Sequence, residues 1–290
     1  MKKYLAVVIL AVFSLWGCKE NSTEPTTITD LSSTTEEAAY NVSTQLSESA
    51  SGVSDQIGDA FTLAFPTSFA KMLDGGKDTT FKTRVWDNDN KLWTVTVDRK
   101  VPDRSTRVTF TFTRVYTIQY LDKNNEPMMY WKVGNDTAYT IRFKILEGTS
   151  YFKNPILIHR LLNLVADLTI TNANKPIVTI NGTMKREGSD TVAARNLTKT
   201  HNYKLDLTFQ DVTGPRKNKL ALQNKLSGTI AGTYEAVVSY KLGDSYKEET
   251  ITKVINIQLD GTGKYELRMG DKTNQVRFGG HLGVPGISRK

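Results

Sequence analysis

Residues 106–121 read Thr-Arg-Val-Thr-Phe-Thr-Phe-Thr-Arg-Val-Tyr-Thr-Ile-Gln-Tyr-Leu. Val108, Phe110, Phe112, Tyr116, Ile118 and Tyr120 fall on one side of this stretch, against Arg107, Thr109, Thr111, Thr113 and Gln119 on the other. Successive side chains of a strand point to opposite faces, so a period of two predicts a strand with one buried face and one wetted face. Only Arg114 interrupts the apolar side. At ~3.3 Å per residue the stretch would reach about 50 Å, which predicts a bend or a bulge within it.

The same period recurs on both sides of this strand. Trp93, Val95 and Val97 share a face, as do Tyr139, Ile141, Phe143 and Ile145, then Leu164, Ala166, Leu168 and Ile170. Val178, Ile180 and Met184 follow, then Tyr203, Leu205, Leu207 and Phe209. Leu226, Ile230, Tyr234, Ala236, Val238 and Tyr240 form another long face. Gly228 and Gly232, on that face, leave room for close packing or sharp curvature. Ile251, Ile255, Ile257 and Leu259 pair with Tyr265, Leu267 and Met269 across Asp260-Gly261-Thr262-Gly263, a strong hairpin signal. Residues 154–162 fit a short helix as well as a strand. Strands joined by turns, each with one apolar face, predict a mainly β chain with a large curved antiparallel sheet over 79–290, as a half-barrel, a barrel or a sandwich.

Upstream, the period changes. Ala39, Val42, Leu46, Ala50, Val53, Ile57 and Ala60 recur at steps of three and four, which is one face of an amphipathic helix. Ser33 with Glu36, or Thr34 with Glu37, has capping-box spacing at its start. Gly52 predicts a break in this helix, Pro66 ends the pattern, and residues 68–73 could add a further turn. An N-terminal amphipathic helical leader over 36–78 is therefore expected to cover the apolar face of the sheet. Residues 18–35, rich in Ser, Thr and Glu, read as a flexible tether.

The chain opens with Lys2 and Lys3, an apolar run from Tyr4 to Trp16 broken by Ser14, and then Gly17-Cys18. The run is too short to span a bilayer, which takes ~20 residues, and has the layout of a signal peptide over 1–17. Leu15, Gly17 and Cys18 resemble the lipobox of bacterial lipoproteins. The resemblance implies that Cys18 is acylated, becomes the mature N-terminus and anchors the protein to a membrane. Cys18 is the only cysteine, so an intramolecular disulfide is excluded. Lys19, where an Asp would imply inner-membrane retention, points by the same family logic to the outer membrane. Lys19-Glu20 also resembles the export signal of Bacteroidota surface lipoproteins, so periplasmic and surface faces both stay open. The combination of tether, helix and bent sheet is similar in outline to the half-barrel lipoproteins that carry lipids.

Net charge is +8, unevenly spread. From Lys19 to Ala64 one base stands against eight acids; from Phe65 onward 35 bases stand against 22 acids. A basic body attracts anionic glycans or lipid headgroups, and a secreted chain does not meet nucleic acid.

Chemistry is sparse. His159, His201 and His281 are widely separated and form no metal-binding pair, and no nucleophile elbow or phosphate loop appears. No catalytic residue, metal or cofactor is assigned. Residues 87–90, Asp-Asn-Asp-Asn, carry alternating oxygen ligands, but Lys91 falls where the third calcium ligand belongs, so a hairpin turn is expected. Trp86, Trp93, Tyr130 and Trp131 could line a groove for sugars or lipids, or simply pack as sheet core. The expected function is a non-enzymatic binding or structural domain on an envelope lipoprotein. The alternatives are an amphiphile carrier with a half-barrel cavity and a glycan-acting enzyme using paired carboxylates.

Overall fold

In the computed structural model, the residues described are 28, 31, 33–47, 52–65, 79–101, 109–216, 225–271, 273–282 and 286–289. Residues 1–27, with the expected signal peptide, Cys18 and most of the expected tether, lie outside them, as do residues 66–78, which include the further helical turn expected over 68–73.

Two helices, α1 (Thr35–Leu46) and α2 (Val53–Ala64), precede the strands. A meander follows: β1 (Thr79–Asp87), β2 (Leu92–Val101), β3 (Thr109–Leu121), the short pieces β4 (Pro127–Met128), β5 (Lys132–Val133) and β6 (Asp136–Thr137), then β7 (Thr140–Lys153) and β8 (Leu157–Thr171). It continues through β9 (Ile177–Ala194), β10 (Leu197–Pro215), β11 (Ser227–Leu242), β12 (Ser245–Asp260), β13 (Lys264–Gly270), β14 (Gln275–His281) and β15 (Ile287–Arg289). The long strands pair antiparallel with their sequence neighbours in one sheet, from β1 at one edge to β15 at the other. β4 pairs with β3, and β5 and β6 form a separate hairpin. Among the described residues the two edges do not meet, so the barrel and the two-sheet sandwich are corrected to a single open sheet.

The apolar faces fall inside as their period requires. Trp93, Val95 and Val97, then Phe112, Tyr116, Ile118 and Tyr120, and the corresponding residues of β7 to β13 are buried, with Ile251 only partly so. Tyr139 is an exception at 44 % exposed, because the face begins at Ile141 and the buried neighbour of that turn is Ala138. The ambiguous stretch 154–162 is a turn followed by the start of β8. Pairing slips by a residue between β3 and β7 and again between β7's partner β8 and β9, which turns Leu146 and Leu162 outward. These bulges bend the long strands.

Two helices, α1 and α2, stand where a helix broken near Gly52 is expected. Thr34 caps α1: its Oγ1 accepts from the Glu37 backbone N–H, and the Glu37 carboxylate accepts from the Thr34 N–H. Gly52 caps α2, and its backbone N–H donates to the Ser47 carbonyl. A Cβ at Gly52 would lie 2.5 Å from the carbonyl oxygens of both Gln45 and Ser47, so the close approach of the start of α2 to the end of α1 needs a glycine.

Neither helix keeps an open polar face. Ala39, Val42, Leu46, Val53, Ile57 and Ala60 of the predicted stripe are buried, but so are Asn41, Ser43, Gln45, Ser54 and Gln56. The sheet bends around α1 to bury them. Asn41 and Gln45 meet β9, while Ser43, on the opposite side of the helix, accepts from the Tyr265 hydroxyl of β13 at 2.8 Å and donates to the Gly286 carbonyl at 3.0 Å. In a flat sheet β9 and β13 would stand ~19 Å apart, too far for one helix to touch both through short side chains.

Candidate functional site

Three constellations combine reactive side chains or exposed rings. The first is built on β8, β9 and β10. His159, Asp190 and His201 stand directly opposite one another on these three strands and face inward. All three are buried. His159 Nδ1 donates to Asp190 Oδ1, and Oδ2 accepts from Asn41 Nδ2 at 2.7 Å and Gln45 Nε2 at 3.0 Å. Asn41 and Gln45 are four residues apart on α1, which places both amides on one side of the helix. Gln45 Oε1 in turn accepts from the Tyr203 hydroxyl at 2.7 Å and from Arg186 at 3.1 Å. Two helix amides therefore join a buried carboxylate to a buried guanidinium.

Burial pulls Arg186 below the ordinary guanidinium value and pushes Tyr203 up. It holds His201 down to about 4, so that residue is neutral near pH 7. The Tyr234 hydroxyl lies 3.4 Å from His201 Nδ1.

The second constellation explains the one interruption in the 106–121 pattern. Arg114 points inward from β3 and is fully buried. Its Nη1 donates to Asp59 at 2.6 Å and Asp55 at 3.0 Å, which are again four residues apart, on α2. Tyr116 also donates to Asp59, at 2.8 Å. Burial opposes the charge on Arg114, but Tyr116, Asp59 and Asp55 outweigh it and hold its pKa above the ordinary value. The two carboxylates serve as counter-ions to one guanidinium. A glycosidase needs substrate between its acid and its nucleophile, and here that space is taken by Arg114.

The third lies at the end of the sheet that carries the 87–92 and 121–140 connections. Trp86 and Trp93 are direct cross-strand partners with ring centroids 5.2 Å apart, and Tyr130 sits 5.8 Å from Trp93. Trp93 Nε1 donates to the Met129 carbonyl at 2.6 Å, which fixes the Tyr130 loop against the sheet. Arg84 covers a face of Trp93 at 4.2 Å. Trp93 is buried, Trp86 is half-buried, and Tyr130 is 38 % exposed. Trp131 does not join this stack. It packs edge-on against Phe65, just past α2, at 5.8 Å, with Arg216 over its ring at 4.8 Å.

Three of the four aromatic residues singled out in the sequence are thus brought together. The turn over 87–90 is as expected, with Asp87 Oδ1 accepting from the backbone N–H of Asp89 and of Asn90. Of the three histidines, His159 and His201 flank one buried carboxylate, while His281 is exposed at the end of β14. No spacing in the chain announces that juxtaposition, because meander register decides it; the usable signal was polar residues recurring at inward positions. Among the described residues, no group of three or more His, Cys, Asp or Glu is placed to hold a metal ion, and no helix is long and apolar enough to cross a membrane. In comparisons with known proteins, no family model, curated protein or solved structure matches the chain.

Proposed function

We propose that this chain is a lipid-anchored protein of the bacterial cell envelope, held at the outer membrane through acylated Cys18, with a non-enzymatic β-domain that binds another envelope component. The domain is a half-barrel wrapped around its own N-terminal helices. One observation carries the reading of the domain: the interior polar groups with catalytic chemistry are spent on structure, Asp190, Arg114 and the Asp55–Asp59 pair on holding α1 and α2, and His159 on Asp190. The cluster of Trp86, Trp93 and Tyr130 remains at one end of the sheet, with Tyr130 exposed. The basic body, with 35 bases against 22 acids from Phe65 onward, favours anionic glycan or lipid along the outward sheet faces.

The anchor is tested by detergent phase separation. Wild type should enter the detergent phase and Cys18→Ser should stay in water, because several acyl chains are needed for stable attachment. Recovery of wild type in water would refute the anchor. An amphiphile carrier would have to displace α1 or α2, whose side chains fill the concave face; lipid found by mass spectrometry of organic extracts of the purified domain would support that second reading.

A further inference from the structure

The chain enters the sheet at the end opposite the rings. Strand direction alternates through the meander, so the 101–109, 153–157, 194–197 and 242–245 connections share one end, and the 87–92, 121–140, 171–177, 215–227 and 260–264 connections share the other. The first described residues dock at the former end. The Ser33 N–H donates to Glu249, Lys247 donates to the Leu31 carbonyl, and Glu37 pairs with Lys199 at 2.6 Å. Lys199 lies near the start of β10, and Arg216, which covers Trp131, follows its end. The helices make the same journey: Asp55 and Asp59 meet the middle of β3, Tyr120 donates to the Leu63 carbonyl, and Phe65 meets Trp131. Two helices of 12 residues at ~1.5 Å per residue put the two ends on the order of 40 Å apart.

Ring chemistry specifies what this end fits. Tyr130 offers an exposed face backed by Trp93 and Trp86, and the flanking turns present the carboxamides and carboxylates of Asn88, Asp89, Asn135 and Asp136 at the surface. Aromatic faces beside planar polar groups suit the apolar faces and hydroxyls of sugars.

We infer that Trp86, Trp93 and Tyr130 form a membrane-distal binding surface for a glycan, held off the bilayer by the length of the sheet. The distal placement rests on the Cys18 anchor; the glycan surface does not. The protein carries its own reporter, because Trp86, Trp93 and Trp131 are the only tryptophans besides Trp16 of the signal segment.

The test has two arms. In the first, the processed full-length protein is placed in phosphatidylethanolamine–phosphatidylglycerol vesicles with and without nitroxide-labelled acyl chains. Tryptophan emission should be unchanged by the nitroxide; quenching would overturn the distal placement, and failure to associate with vesicles at all would instead overturn the anchor. In the second, Cys18→Ser protein is titrated with the hexamer of N-acetylglucosamine and with maltohexaose. At least one should shift tryptophan emission, Tyr130→Ala should weaken it about tenfold, and Tyr130→Phe should retain it. No shift with either sugar at about 5 mM, or unchanged affinity in the Tyr130→Ala protein, would overturn the glycan surface.

Discussion

Arg114 marks where alternation of side chains stops being a sufficient guide. It occupies an inward position of β3 and is buried because Asp55 and Asp59 come to it from α2. Removing it leaves two carboxylates around an empty cation site. Arg114→Ala should therefore lower stability by about 3 kcal/mol, with Asp59→Asn costing less because Asp55 still pairs, read from urea midpoints. Equal, small effects would mean that the ion triad is not formed. His201 supplies a pH dependence. Burial holds its pKa down to about 4, with Lys199 adding to the effect and Asp190, Glu37 and Glu249 opposing it. The unfolded chain takes up that proton near pH ~6.5, so stability is lost as pH falls from ~6.5 toward ~4, by up to about 3 kcal/mol. In His201→Gln the drop in urea midpoint between pH 7.5 and 4.5 should shrink; an unchanged drop would assign acid sensitivity to other groups. At this scale the sequence was informative about where polar residues break an apolar face and silent about partners, because Asp190 meets His159 only through register.

Among the elements, α1 departs most from its sequence signature. Its stripe of Ala39, Val42 and Leu46 predicted one buried side, yet Asn41, Ser43 and Gln45 are buried too. Period analysis weighs residues by polarity and cannot register that a sheet offers Asp190, Arg186 and Tyr203 in the right places. Gln45→Leu should cost about 2–4 kcal/mol, because Asp190 loses a donor and Arg186 and Tyr203 lose their acceptor in a buried site. The Thr34 cap is a surface feature, and Thr34→Ala should cost only about 1 kcal/mol. If the two substitutions were equally mild, α1 would be held by its apolar stripe alone. The strands were far more legible. The hairpin across 260–263 pairs Leu259 with Tyr265 and Ile257 with Leu267, as turn chemistry and alternation required. Gly232 lies on the apolar face of β11 where the strands pack closely, and a Cβ there would lie 1.9 Å from the Asp206 carbonyl oxygen of β10. Gly232→Ala should accordingly yield little folded protein, judged by soluble expression and near-ultraviolet circular dichroism.

For the whole molecule, a one-sided sheet has to hide its apolar face, and three closures were open from sequence: self-closure, a second sheet, or helices. Local period cannot choose among them, since each buries the same residues. The choice was made by the two helices, which bring their own polar anchors into a sheet that stays open between β1 and β15. Outward positions such as Thr183, Lys185, Lys204, Asp206 and Glu235 are exposed and polar, which is the reverse of a lipid-facing barrel wall. With the interior filled, recognition is left to the surface and to the ring-bearing end. Amide hydrogen exchange tests this most directly. If α1 is the filling of the sheet, amides from Ala38 to Leu46 should exchange as slowly as those of β8 to β10, in one cooperative unit. Exchange of α1 several orders of magnitude faster than the central strands would contradict the account and return the concave face to use as a cavity.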